Sequence, residues 1–124
     1  MERPRLLVVD DDPCTRAALR TIFGREGWQV TLAATLAEAL ARLDPAPHGA
    51  ILDLDLPDGP GESVLRELRA RGLGTRVAVC SGIADPVRLA GVRLLAPELM
   101  LWKPIEVAPV LRLFSAPRPA GEVA

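Results

Sequence analysis

Short apolar runs alternate with longer stretches in which leucines recur at helical spacing. Leu6-Leu7-Val8-Val9 predicts a buried strand ending at Asp10. Pro13 to about Gly24 predicts a helix, with Ala18, Leu19, Ile22 and Phe23 on one face. Gly27 breaks it. Trp28 to Ala33 alternates like a half-buried strand. Thr35 can cap the next helix, with Glu38 at capping-box distance. Leu36, Leu40 and Leu43 form that helix's expected buried stripe. A Pro/Gly loop around His48 leads to a third strand, Ala50 to Asp53. Leu56 to Gly61 reads as a stiff turn, and Glu62 to about Arg71 as a helix with Val64, Leu65 and Leu68 inward. Val77 to Ser81 predicts a fourth strand, Pro86 to about Leu95 a helix, and Leu99 to Trp102 a fifth strand. Glu106 to about Ser115 predicts a short last helix, with Pro109 in the first turn, where proline is tolerated. Pro117 to Glu122 reads as a frayed tail.

Five strand–helix pairs in 124 residues predict an α/β domain, a parallel sheet with helices on both faces. The first, third and fourth strands are continuous apolar runs, as expected where both sheet faces are covered. Such folds bind ligands at the carboxyl ends of their strands, at the topological switch point. The expected domain is residues 1–116, with a flexible tail over 117–124.

Composition narrows the function. A hydrophobic share of 49% and a net charge of −1 suit a globular domain. No apolar stretch approaches the roughly 18 residues of a membrane span. Met1-Glu2-Arg3-Pro4-Arg5 has no small-residue cleavage site and does not read as a signal peptide. The expectation is a cytoplasmic protein with no membrane contact. Cys14 and Cys80 match no metal spacing and read as free thiols. His48, the single histidine, has loop composition around it, which argues against a Ser/His/Asp triad or a histidine-rich metal site. Of 15 basic residues, all but one are arginine. The arginines are scattered among Glu and Asp on helix-like segments, so no direct nucleic-acid binding is expected. The lone lysine is Lys103.

The polar residues closing the strands carry the chemistry. Asp10 and Asp11 end the first strand and Asp53 the third, with Asp55 close behind. Ser81 ends the fourth, and Lys103 follows the fifth. All belong to one sheet edge. Clustered carboxylates raise one another's pKa unless a positive charge joins them. Their oxygens suit a hard cation, Mg²⁺ in particular. Ser81 adds a hydroxyl and Lys103 a compact cation. Such a set can hold a phosphoryl group against an aspartate nucleophile. Each residue also has a plainer reading. Asp12 and Pro13 suit a helix start, Asp53 and Asp55 suit a loop, Ser81 before Gly82 suits a turn, and Lys103 suits a surface.

Leu7-Val8-Val9-Asp10-Asp11-Asp12-Pro13, Leu52-Asp53-Leu54-Asp55-Leu56-Pro57 with Gly61, Val79-Cys80-Ser81-Gly82 and Trp102-Lys103-Pro104 resemble, in order and separation, the receiver domain of two-component response regulators. The resemblance spans nearly the whole chain. It implies a flavodoxin-like receiver fold with strand order 2-1-3-4-5; a receiver protein is one of the standard examples of that order. It implies that Asp53 takes a phosphoryl group from the phosphohistidine of a sensor histidine kinase or phosphotransfer protein. Asp10 and Asp11 are then the acidic pair holding Mg²⁺, with Asp11 the more direct ligand. Asp53 adds a carboxylate oxygen and Asp55 a backbone carbonyl. Ser81 is the implied switch hydroxyl and Lys103 the ion-pair partner. Asp12 has no implied role.

On this reading the protein is not an enzyme beyond its own phosphorylation and dephosphorylation. Little chain follows Ser115, and no helix-turn-helix is present, so a stand-alone or excised receiver is expected. It would signal through a downstream protein partner or a homodimer. Two departures fall on the side receivers use for output. Met100 stands where an aromatic is usual, and Ala96-Pro97 replaces a Gly-Ala step. Two alternatives remain at this stage. One is a receiver-like interaction module that works without phosphorylation. The other is a phosphatase of the haloacid dehalogenase type, with Asp53 as nucleophile and Asp55 as acid–base.

Overall fold

Residues 3–115 are described in this computed structural model. Strands β1 (Arg5–Val9), β2 (Gln29–Ala33) and β3 (Gly49–Asp53) are followed by two-residue strands β4 (Asp55–Leu56) and β5 (Gly59–Pro60), then β6 (Arg76–Ser81) and β7 (Leu99–Trp102). Five of them form one sheet in the order β2-β1-β3-β6-β7, every pair parallel. The short β4 and β5 form a separate antiparallel hairpin, so the five long strands follow the expected 2-1-3-4-5 order. The turn read at Leu56 to Gly61 is this hairpin.

The helices are α1 (Pro13–Arg25), α2 (Leu36–Leu40), α3 (Glu62–Ala70), α4 (Pro86–Leu94) and α5 (Val107–Ser115). Alternation along β1 shows why both faces need cover. Leu7 and Val9 point into one core with Leu43, Leu65, Leu68 and Val92 from the α2–α4 side. Leu6 and Val8 point into the other, with Leu19, Phe23, Val110 and Phe114 from α1 and α5. Three of the four aromatic residues sit in that second core. The Phe114 ring meets Phe23 at 6.0 Å and Trp28 at 5.5 Å, both edge to face, a favourable aromatic arrangement.

Most expected boundaries hold within two residues. Helix α2 is the exception, because it stops at Leu40. Leu43 is still buried, in the turn that follows. Pro45 disfavours helical backbone at Asp44, and α2 ends before that point, at the C-cap Ala41. Thr35 caps α2 through the Glu38 N–H, as expected. The Glu38 carboxylate reaches back to the Ala34 N–H instead of the cap's own. Trp28 precedes β2 and serves the core instead. The tail expected over 117–124 lies outside the described residues.

Candidate functional site

The apolar runs place a carboxylate where β1 and β3 emerge from the core. Asp10 and Asp53 are both buried, and each is folded back by the same local device. An Asp10 Oδ1 accepts the Asp12 N–H at 2.9 Å. Asp53 Oδ1 accepts the Asp55 N–H at 3.1 Å. Such turns, in which Asp binds the backbone two residues on, are a standard use of its short side chain. Each carboxylate then presents its second oxygen to Lys103, whose Nζ lies 3.0 Å from both Asp10 Oδ2 and Asp53 Oδ2. Lys103 is delivered by the end of β7, where its own N–H donates to the Ser81 carbonyl at 2.9 Å.

Asp11 completes the acidic group. One carboxylate oxygen from each of Asp10, Asp11 and Asp53 lies within 4.8 Å of the others. Arg16 is near, but its guanidinium binds the Asp10 backbone carbonyl and not the carboxylate. The group therefore gathers more negative charge than Lys103 balances. The Asp53 carboxyl is held above its ordinary value. Burial is the main cause, and the hydrogen bonds from the Asp55 N–H and Lys103 only partly offset it. For Lys103 burial acts downward, yet the hydrogen bonds to Asp53 and Asp10 prevail, and its pKa is raised. Hard oxygen donors with surplus negative charge fit a small divalent cation such as Mg²⁺.

The remaining candidates are placed differently. Ser81 closes β6 and is buried. Its Oγ accepts the Ile83 N–H at 2.9 Å and borders a cavity of about 60 Å³ that Met100 and Trp102 also line. Asp55 contributes its N–H to the site, while its carboxylate is 80% exposed and lies 3.8 Å from an Arg88 nitrogen. A phosphatase acid–base at Asp55 would need that carboxylate beside Asp53. Asp12 is the N-cap of α1, accepting from the Cys14 and Thr15 N–H groups. Its pKa is lowered, chiefly by the Thr15 hydroxyl. Cys14 and Cys80 are free thiols. Burial pushes the Cys80 thiol up to about 12, which keeps it protonated and unreactive.

Sequence reasoning missed the residues that brace this edge. The Arg88 guanidinium of α4 forms a bidentate pair with buried Glu62, at 2.6 and 2.7 Å, and donates to the Leu54 carbonyl at 2.6 Å. Gly61 packs so closely on the Asp53 carbonyl that a Cβ there would collide with it. Further out, Ala96 adopts φ 53° after α4. That left-handed conformation costs a non-glycine residue about 1 kcal/mol. Arg69 grips the Leu95 and Ala96 carbonyls at 3.0 Å each, which holds the turn where a glycine was expected. Glycine motifs and strand ends are visible in a sequence, whereas these arginine contacts join segments whose facing sides no periodicity defines.

Comparison with known proteins agrees with this architecture. Residues 6–112 match the family described as response regulator receiver domain. The transcriptional regulatory protein AruR of Pseudomonas aeruginosa is 34% identical over 109 residues, covering 82% of this chain and 44% of that protein. The chain spans about half, or less, of the length of the curated relatives it matches. A CheY-like response regulator receiver domain protein from Methanospirillum hungatei superimposes with a TM-score of 0.83 at 26% identity, over 92% of both chains. A Burkholderia pseudomallei response regulator, crystallised with a phosphorylated aspartic acid, calcium ion and citrate, gives 0.78 at 24% identity, over 88% of this chain and 65% of that one. No helix among the described residues is long and apolar enough to cross a membrane. The chain belongs to the response regulator receiver domain family.

Proposed function

We propose that Asp53 accepts a phosphoryl group from the phosphohistidine of a sensor histidine kinase or phosphotransfer protein, in a Mg²⁺-dependent reaction. The observation that carries this reading is the double hold on the Asp53 carboxylate, by the Asp55 N–H on one oxygen and Lys103 on the other. That hold fixes a buried nucleophile at the strand edge, and fixed orientation is a large part of phosphoryl-transfer catalysis. An Asp53 oxygen attacks phosphorus, the P–N bond to the donor imidazole breaks, and an acyl phosphate forms. Asp10, Asp11 and Asp53, with the Asp55 carbonyl, would hold Mg²⁺. When bound, the cation supplies positive charge to the phosphoryl oxygens. Lys103 meets one of those oxygens as an ammonium. Ser81 leaves the Ile83 N–H and donates its hydroxyl to another.

The donor needs a surface beside this edge. A mainly apolar groove of about 320 Å³ runs from Lys103 and Pro104 along α1, past Thr15, Leu19 and Ile22. Output needs a second surface. Val87, Leu94 and Trp102 are exposed on α4 and β7, and Trp102 also lines the cavity that Ser81 borders. Movement of Ser81 can therefore reach a protein-binding face, with a downstream protein or a second copy as partner. That is how a local charge change shifts a two-state equilibrium. Treatment with acetyl phosphate and Mg²⁺ should add one phosphoryl group to the wild type and none to Asp53→Asn. Labelling that persists in Asp53→Asn sinks the assignment.

A further inference from the structure

The hydrogen bond that steadies Asp53 Oδ1 has a second end. The Asp55 N–H that donates it and the Leu54 carbonyl belong to one peptide unit. That carbonyl accepts Arg88 Nη2 at 2.6 Å and the Gly61 N–H at 2.9 Å. The guanidinium is in turn aimed by its bidentate pair with Glu62. We propose that Arg88 is a positioning residue: it fixes the Leu54–Asp55 peptide whose N–H orients the phosphoacceptor carboxylate. This rests on the reading of Asp53 as the phosphoacceptor.

Two physical effects follow from the arrangement. A peptide plane is rigid, so holding its oxygen fixes the direction of its N–H. A cation on the oxygen also polarises the plane, which strengthens the hydrogen bond donated at the other end. Gly61 packs directly against the preceding Asp53 carbonyl, where a Cβ would collide. Because Arg88 belongs to α4, a movement of that helix that draws the guanidinium off the Leu54 carbonyl reaches Asp53 through one peptide, and a change at Asp53 reaches Arg88 by the same route. Lysine cannot substitute, since one ammonium does not reproduce the planar fork that binds Glu62 and the carbonyl together. A competing account makes Arg88 only a brace between α3 and α4, with no effect on the peptide.

The test uses the full chain and four proteins: wild type, Arg88→Met, Arg88→Lys and Leu89→Ala. Leu89 is a core residue of the same helix and reports what loosening α4 does by itself. NMR of the unphosphorylated protein reads the Asp55 amide proton directly. It should move upfield in Arg88→Met and Arg88→Lys and stay in place in Leu89→Ala. With acetyl phosphate and Mg²⁺, the maximal labelling rate of Arg88→Met should fall roughly tenfold, the scale of a modest loss of orientation, at unchanged half-saturation. Should Arg88→Met fail to fold, Arg88→Lys carries both readouts. An unmoved Asp55 amide in the Arg88 variants, or an equal slowing in Leu89→Ala, overturns the proposal. Absence of any wild-type adduct overturns the phosphoacceptor reading instead, and the amide shift still decides the positioning role.

Discussion

Asp53 and Glu62 are both buried carboxylates, one ending β3 and the other opening α3, yet their surroundings push them in opposite directions. Burial raises both. At Glu62 the bidentate Arg88 outweighs it, and the pKa is lowered. At Asp53 it prevails, because Lys103 is shared with Asp10 and the Asp10 charge adds repulsion. A carboxylate with its own guanidinium is at rest and serves as structure. One that must share a single ammonium keeps negative charge that no partner offsets. The difference lies in charge balance and not in depth, and perturbed groups of the second kind are those expected at functional sites.

The comparison breaks most visibly under substitution. Glu62→Leu strands Arg88 in a partly buried position and should destabilise the fold by about 2 kcal/mol, somewhat below the usual cost of orphaning a fully buried charge. Asp53→Asn should do the reverse and raise the urea midpoint at neutral pH, since it relieves a carboxylate held above its ordinary value. Equal losses in the two variants would erase the contrast.

Acid titration sharpens it. Glu62, depressed below 4.5, adds stability that is present above that value and lost as pH falls through its folded pKa. Asp53, raised above 3.8, binds its proton earlier in the folded state, so its protonation adds stability as pH falls through its folded pKa toward 3.8. Urea midpoints measured against pH should lose part of the acid decline in Glu62→Gln. In Asp53→Asn the midpoints should fall more steeply with acid over the upper part of that range. Identical profiles in the two variants would contradict the assignment.

Cation binding separates the two carboxylates a third way. At ten times its dissociation constant, Mg²⁺ should stabilise the wild type by about 1.4 kcal/mol, by mass action alone. Glu62→Gln should keep that gain, whereas Asp11→Asn and Asp53→Asn should lose most of it in thermal melts. The smallest effect belongs to Asp55. Its exposed carboxylate stands near Arg88 and beside the site. Asp55→Asn should change the lifetime of the phosphoryl group by about threefold, the size of a weakly screened surface interaction. Matching dephosphorylation rates would remove that idea.

How far the sequence foretold these two sites follows the same physics. Asp10, Asp53 and Lys103 are the first polar groups after apolar strands, and a parallel sheet carries all such ends to one edge. The fold was readable for a related reason: the two core faces alternate along β1 as a simple period of two. Glu62 and Arg88 stand 26 positions apart on different helices. Each is an ordinary charged residue in its own segment, and only the packing of α3 against α4 joins them. The sequence points to the Asp55 side chain and carbonyl, while the structure gives its N–H the first contact with Asp53. Ala96 shows the converse: the missing glycine was legible, and the Arg69 contacts that replace its freedom were not.

The central claim is that the charge-poor carboxylate, Asp53, is the one that takes the phosphoryl group. The most direct test is mass measurement of the intact protein after acetyl phosphate with Mg²⁺, for wild type, Asp53→Asn and Glu62→Gln. One added phosphoryl group is expected in wild type and Glu62→Gln, and none in Asp53→Asn. An adduct that survives in Asp53→Asn, or no adduct in any of the three, contradicts it.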